Sequence, residues 1–348
     1  MRTPRPLALT GVVAGLAALA LTACGGAEQP APADAPAASG TGTVVLYSGR
    51  DENLVGPLIE QFTAASGIRV ETRYGSTTEM AAQLLEEGDR TPAQVFLSQD
   101  AGALGALSAQ GRLATLPDAI TGAVDRDFSS TDGSWVGLTG RARVVAYDSR
   151  EVQAADVPGT LQELLDPRWR GQIAIAPTNA SFQAFVTAVR VSEGEEAAKA
   201  WLQGLIANQP QIMQSNGAIL EAVNTGAVDL GLINHYYWAG SETDPKALRA
   251  QIAFGDPGTP LALVNVTGAA ILSGAAGSAD ARALVAFLAG PQAQAYFAAE
   301  TAEYPLAGDV AGPTGVPPLN ELDGPDLDLS DLASLEQTVT LLTDVGLI

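Results

Sequence analysis

Two adjacent tyrosines, Tyr236 and Tyr237, carry the most distinctive chemistry of this chain, because tyrosine is scarce in it, with seven among 348 residues. At a strand end or in the first turn of a helix two neighbouring side chains can converge on one site, so two phenols can meet one cation. A free phenol has a pKa near ~10, and a phenolate at neutral pH needs a strong, hard Lewis acid to displace the proton. Trivalent iron meets that condition far better than calcium or magnesium. The same residues, with Trp238, are equally suited to an aromatic core cluster or to stacking on an organic ligand, and residue types alone leave these readings open.

Other candidate groups stand at comparable positions. Tyr47-Ser48-Gly49-Arg50-Asp51 and Ser98-Gln99-Asp100 each follow an apolar run suited to a strand. Thr178-Asn179-Ala180-Ser181 precedes an apolar helical pattern, which makes it a capped helix start whose free N–H groups suit an anion, or an ordinary N-cap. Arg50 either contacts such an anion or pairs with a surface acid, the commoner situation. His235 is the only histidine and Cys24 the only cysteine, so a zinc or nickel cluster of several His and Cys ligands cannot be built. For His235 a cap or a supporting position beside the tyrosines is expected rather than direct ligation. The two lysines, Lys199 and Lys246, lie in no glycine-rich phosphate loop, which excludes a Walker-type nucleotide site. No Gly-x-Ser-x-Gly elbow accompanies His235, and no catalytic role is expected.

The elements that must position these residues alternate along the chain. Val44–Tyr47 reads as a strand, Leu54, Leu58, Ile59 and Phe62 recur at helical spacing up to Gly67, and Val70–Tyr74, Thr78–Glu87, Val95–Leu97 and Ala101–Ala109 continue the alternation. It resumes with Ile173–Ile175 as strand, Phe182–Val191 and Glu195–Ile206 as helices, and Leu230–Ile233 as strand. This βαβ rhythm predicts two α/β lobes, each a largely parallel sheet covered by helices. Ligands in such sheets bind outside the carboxyl ends of strands, where the candidate residues lie. Gly312–Pro318 reads as a surface loop and Leu332–Leu342 as a final amphipathic helix.

With 47% hydrophobic and 16% charged residues the chain can bury a full core. Its 39 acidic and 18 basic residues give a formal charge of −21, which repels nucleic acid and favours solubility. At the N-terminus, Arg2 and Arg5 precede the apolar run Leu7–Leu21, which ends in Leu21-Thr22-Ala23-Cys24 and resembles the bacterial lipobox. A signal peptide over 1–23 and a lipidated Cys24 are therefore expected. Residues 24–42, rich in Pro, Ala and Gly, are expected to form a flexible tether. No later segment is long and apolar enough to span a bilayer, so a lipid-anchored extracytoplasmic body is expected, attached to the membrane through its lipid alone.

Asn234-His235-Tyr236-Tyr237-Trp238 resembles the Asn-x-Tyr-Tyr-Trp segment of the periplasmic ferric ion-binding proteins. Further pieces match in the same order: Val45–Gly49, Leu84–Gly88, Leu138–Asp148, Phe287–Gly290 and Ala302-Glu303-Tyr304-Pro305-Leu306. The resemblance implies a bilobal clamshell, two α/β lobes joined by two crossing hinge strands. It further implies Fe³⁺ held in the cleft by tyrosinates with a synergistic anion such as carbonate or phosphate. Tyr236 and Tyr237 match the family's tyrosinate ligands. Asp51 stands where well-known members have a histidine ligand, and Gln99 where some carry a glutamate. A carboxylate from Asp51 suits hard Fe³⁺, whereas Gln99 is a poorer ligand. Arg141 and Arg143 match arginines of the cleft-edge strand, where a guanidinium can hold an oxyanion through paired hydrogen bonds. The implied lobes are 43–141 plus 263–312 and 142–262 plus 313–348. The implied partners are the permease and ATPase subunits of an ABC importer, served by a monomeric receptor. The competing expectation is a receptor of the same fold for an organic anion, phosphonate or similar small molecule.

Overall fold

The computed structural model describes residues 42–307 and 310–348. The expected signal peptide, Cys24 and the expected tether up to Thr41 lie outside the described residues. No helix among the described residues is long and apolar enough to cross a membrane.

The chain opens with β1 (Thr43–Ser48), α1 (Glu52–Ser66), β2 (Arg69–Tyr74), α2 (Thr77–Glu87), β3 (Val95–Ser98) and α3 (Ala101–Ala109). In α1 the residues Val55, Leu58, Ile59 and Phe62 form the buried stripe, and Gly67 ends the helix at φ 74°, a left-handed conformation that favours glycine. A capping box starts α2: Ser76 Oγ accepts from Glu79 N, while the Glu79 carboxylate accepts from Ser76 N. The short α4 (Asp118–Thr121) leads to β4 (Val136–Asp148), thirteen residues that are all buried.

The second lobe continues with β5 (Ile173–Ile175), α5 (Ala180–Glu193), α6 (Glu195–Ala207), β6 (Gln211–Ile212) and α7 (Asn216–Thr225). There follow β7 (Leu230–Asn234), α8 (His235–Ala239) and β8 (Ala250–Phe254). The chain returns through β9 (Val264–Ile271), α9 (Ala279–Ala289), α10 (Pro291–Tyr296), a π-helical turn at Phe297–Thr301 and β10 (Tyr304–Pro305), and closes with α11 (Leu335–Asp344).

β1 lies between β2 and β3, parallel to both, and β3 pairs antiparallel with β9. β4 joins the lobes. Its residues Val136 to Ala142 pair antiparallel with β9, and from Arg143 onward its partner is β7, with β8 on the other side. Parallel pairing of β5 with both β6 and β7 completes the second sheet. The result is the bilobal α/β clamshell expected from the sequence, with the chain recrossing between β8 and β9. Its sheets are mixed rather than largely parallel, because the crossing strands β4 and β9 run antiparallel to the strands they join. At the partner switch Arg143 N donates to Leu263 O at 2.8 Å, which ties the two crossings together.

The C-terminal segment touches both lobes. Leu329–Ala333 form a 3₁₀ stretch packed on α3, while α11 packs on α5, so the final helix starts three residues later than the apolar spacing predicts. Glycine at 102 and 105 permits the first contact: a Cβ at either position would stand 2.5 Å from the carbonyl of Leu332 or Ser330.

Candidate functional site

Two loops of the same construction end β1 and β3. Ser48 Oγ donates to Arg50 O at 2.9 Å and accepts from Arg50 N at 3.1 Å; Ser98 Oγ does the same with Asp100 O at 2.6 Å and Asp100 N at 3.2 Å. Each serine thus folds its own strand-to-helix turn. Thr77 Oγ1 fastens the two turns to each other, donating to Gly49 O at 3.3 Å and accepting from Gln99 N at 2.9 Å. Residue 49 is glycine because a Cβ there would lie 2.1 Å from that oxygen.

The tyrosines sit on α8, one short turn that begins where β7 ends. His235 is completely buried and anchors the turn: its Nδ1 accepts from Ala142 N at 3.1 Å, its Nε2 donates to Ala302 O at 3.0 Å, and its ring stacks on Tyr304 at 4.5 Å. Burial pushes its pKa down to about 4, so it is neutral and structural. Trp238 secures the other end of the turn, its Nε1 donating to Ala250 O at 3.0 Å. Held this way, the Tyr236 and Tyr237 rings stack with centroids 4.6 Å apart and 29° between planes, both half-buried. Adjacent helical residues ordinarily diverge, and it is the strand-to-helix junction that turns these two to one place. Burial raises the Tyr237 phenol well above its ordinary range, and the charge and hydrogen bond of Tyr236 push the same way, against Arg141 and Arg50.

Three buried arginines surround the pair, each 2% exposed. Arg141 Cζ stands 5.7 Å from the Tyr236 ring centroid, and its Nη1 donates to the Gln99 carbonyl. Burial opposes the Arg141 charge, but Tyr236, Glu303, Asp100 and Tyr237 outweigh it and raise its pKa. Arg50 Nη1 donates to Glu303 Oε1 at 2.8 Å and to Thr267 Oγ1 at 3.1 Å. Its partner is therefore a fully buried acid 253 residues away, not the surface acid expected from composition. Arg143 lies deeper, its Cζ 5.2 Å from the Phe185 ring and 5.8 Å from Phe182, and its Nη2 donates to Leu232 O at 2.9 Å. Burial lowers its pKa to about 9, which leaves it charged at neutral pH.

On the second-lobe side, Asn179 caps α5 by accepting from Ser181 N at 3.0 Å and from Ser181 Oγ at 2.6 Å. Asn216 Nδ2 joins them, 3.1 Å from both Asn179 Oδ1 and Ser181 Oγ, and Arg143 Nη1 reaches Ser181 Oγ at 3.5 Å. Thr178 is exposed and makes no side-chain hydrogen bond among the described residues.

The fold thus brings Tyr236, Tyr237, Arg141, Arg50 and the Gln99 backbone into one neighbourhood, and groups Arg143 with Asn179 and Ser181. Asp51 is exposed at the N-cap of α1 with no side-chain capping hydrogen bond, and the half-buried Gln99 side chain has no hydrogen-bond partner among the described residues. Sequence reasoning gave no site role to Glu303, Asn216 or Thr267, and named Asp100 only as part of the Ser98-Gln99-Asp100 junction. The one signal available for Glu303 was an acid set in the apolar stretch Ala302-Glu303-Tyr304-Pro305-Leu306.

A bilobal α/β body with paired phenols and buried guanidinium groups at its strand ends is an architecture that binds small ligands. Residues 90–323 match the family described as bacterial extracellular solute-binding protein, and the chain belongs to that family. It is 32% identical over 317 residues, 90% of this chain and 93% of the other, to the Fe(3+)-binding periplasmic protein of Serratia marcescens. It is also 32% identical over 349 residues, 97% of this chain and 99% of the other, to the major ferric iron-binding protein of Neisseria meningitidis serogroup B. Among solved structures, iron-bound HitA from Pseudomonas aeruginosa superposes with a TM-score of 0.81 at 33% identity, over 87% of this chain and 99% of that one.

Proposed function

We propose that this protein captures ferric iron together with a small oxyanion between its lobes and delivers it to the permease and ATPase subunits of an ABC importer. The observation that carries the reading is the stacked Tyr236–Tyr237 pair, two oxygen donors turned to one place beneath Arg141. In the metal-free protein burial keeps the Tyr237 phenol protonated, so only a cation strong enough to displace the proton is held there, and hard Fe³⁺ is such a cation. Two phenolates leave part of the trivalent charge uncompensated. Asp51 from the first lobe would supply a further oxygen on closure, and Gln99 a weaker one. The anion would meet Arg141 first and the Arg143–Asn179–Ser181 group behind it, with the α5 N-terminus contributing its dipole and exposed Thr178 at the rim. Carbonate and phosphate both suit such a site. The relatives named for ferric iron support the same reading.

Cys24, with the apolar stretch before it, would anchor the receptor to the outer face of the cell membrane by lipid, leaving the folded body free on its tether as a monomer. The deciding experiment is optical. Purified protein given ferric nitrilotriacetate and bicarbonate should develop a visible tyrosinate-to-iron charge-transfer band, and a colourless protein that retains no more iron than buffer would remove the ferric reading. In that event the receptor for an organic anion, with the tyrosines as stacking groups, is the reading to pursue.

A further inference from the structure

Glu303 is the one fully buried carboxylate among the described residues that touches two of the cleft arginines, and it enters from a part of the chain remote from both. Its Oε1 accepts from Arg50 Nη1 at 2.8 Å and lies 4.0 Å from Arg141 Nε, while its Oε2 accepts from Thr139 Oγ1 at 2.5 Å. Arg50 belongs to the turn after β1, and Arg141 to β4 just before it changes partners. One side chain therefore connects the first-lobe turn to the crossing strand. Its backbone neighbours hold the tyrosine turn from the same side: Ala302 O accepts from His235 Nε2 at 3.0 Å, and Tyr304 stacks on the His235 ring at 4.5 Å. Ala302 adopts φ 53°, a left-handed conformation that non-glycine residues seldom take, so the chain bends at this point into a conformation alanine does not favour. The charged groups facing Glu303 are Arg50 and Arg141, with neutral His235 and the hydroxyls of Thr139 and Thr267 completing its surroundings.

We propose that Glu303 is the positioning residue of the binding site, its single buried carboxylate holding Arg50 and Arg141 at fixed places beside the tyrosine pair and setting the balance of charge the ligand meets. Two buried guanidinium groups, Arg50 and Arg141, face the Glu303 carboxylate, and Asp100, which caps α3, is a second carboxylate acting on Arg141. Removing the Glu303 charge adds one unit of positive charge next to the metal position and frees Arg141 to pair with a phenolate, and both effects oppose iron. The inference rests on the ferric reading above.

The experiment is a double-variant cycle of Glu303→Gln and Arg50→Gln, in which ferric nitrilotriacetate is titrated against a competing chelator in bicarbonate and, separately, in phosphate. Thermal melts of each metal-free protein are recorded alongside. Glu303→Gln should lose about 10- to 100-fold in iron affinity, the range for residues that orient ligands from behind, and its charge-transfer band should shift. The Arg50→Gln/Glu303→Gln protein, which removes one charge of each sign, should regain most of that loss. A folded Glu303→Gln protein within threefold of wild type with an unshifted band would overturn the assignment, as would a double variant weaker than Glu303→Gln alone. If Glu303→Gln fails to fold, Glu303→Asp, which keeps the charge but shortens its reach, takes its place, and wild-type affinity in that protein would count against positioning. Absence of the band in wild type defeats the ferric reading itself, an outcome distinct from a normal band in every variant.

Discussion

Tyr237→Phe, with Tyr236→Phe as its twin, tests the site most directly. The substitution keeps a ring that stacks on its neighbour at 4.6 Å and deletes only the oxygen. In the metal-free protein the change deletes one hydroxyl from a half-buried ring and keeps the ring's stacking contact, so folding should survive. Iron binding has a sharper signature. Each phenol must release one proton to become a ligand, and burial holds the Tyr237 proton more tightly than in water. Below the phenol pKa, two such ligands make affinity rise about 100-fold per pH unit, and one makes it rise about tenfold. The ratio of wild-type to variant affinity should therefore grow about tenfold per unit between pH 6 and 8, because protonation of chelator and anion is common to both and cancels. At pH 7 the ratio itself should exceed about 100, since a direct ligand matters more than the residues behind it. The assay is competition against a ferric chelator at fixed anion concentration, followed by the charge-transfer band. A ratio independent of pH, or a Phe variant that binds as wild type does, would refute the tyrosinate site.

Three further outcomes are expected. Neutral buried His235 has its pKa depressed from 6.5 to about 4, so the unfolded chain takes up that proton first; its contribution is complete above pH 6.5 and is lost as pH falls toward 4, about 3 kcal/mol in all. Urea denaturation of the metal-free protein at pH 7 and 4.5 should show this loss in wild type and a smaller one in His235→Gln, and equal losses would remove the assignment. Gly102→Ala forces a Cβ to within 2.5 Å of Leu332 O and should destabilise by about 1–3 kcal/mol in thermal melts, whereas Gly274→Ala, with nothing within 4 Å, should leave the melting curve almost unchanged. Cys24→Ala should release the protein from membranes without altering ligand affinity, and continued partitioning into detergent would contradict lipidation.

The sequence by itself determined what local chemistry controls. Apolar spacing and Gly67 delimit α1, the Ser76–Glu79 pair starts α2, and Asn179 marks the start of α5, because caps and periodicity act within one or two turns of chain. The adjacent tyrosines at the end of β7 were legible for the same reason: a strand-to-helix junction and two phenols are neighbours in the chain. Tertiary structure alone decided which groups surround them. Arg50 was legible as a cation after β1, but its acid lies 253 residues away, and nothing local to either residue encodes the pairing. Arg143 was readable as an anion contact, yet only the packing of α5 seats its guanidinium between Phe182 and Phe185. Asn216 meets Ser181 because α5 and α7 converge, and Leu329–Ala333 reach α3 because the glycines at 102 and 105 leave room for their carbonyls. Charge partners in a buried site are chosen by where the crossings of the chain bring side chains out of water. An ion pair is held there only if the fold delivers both members, and no window along the sequence contains both.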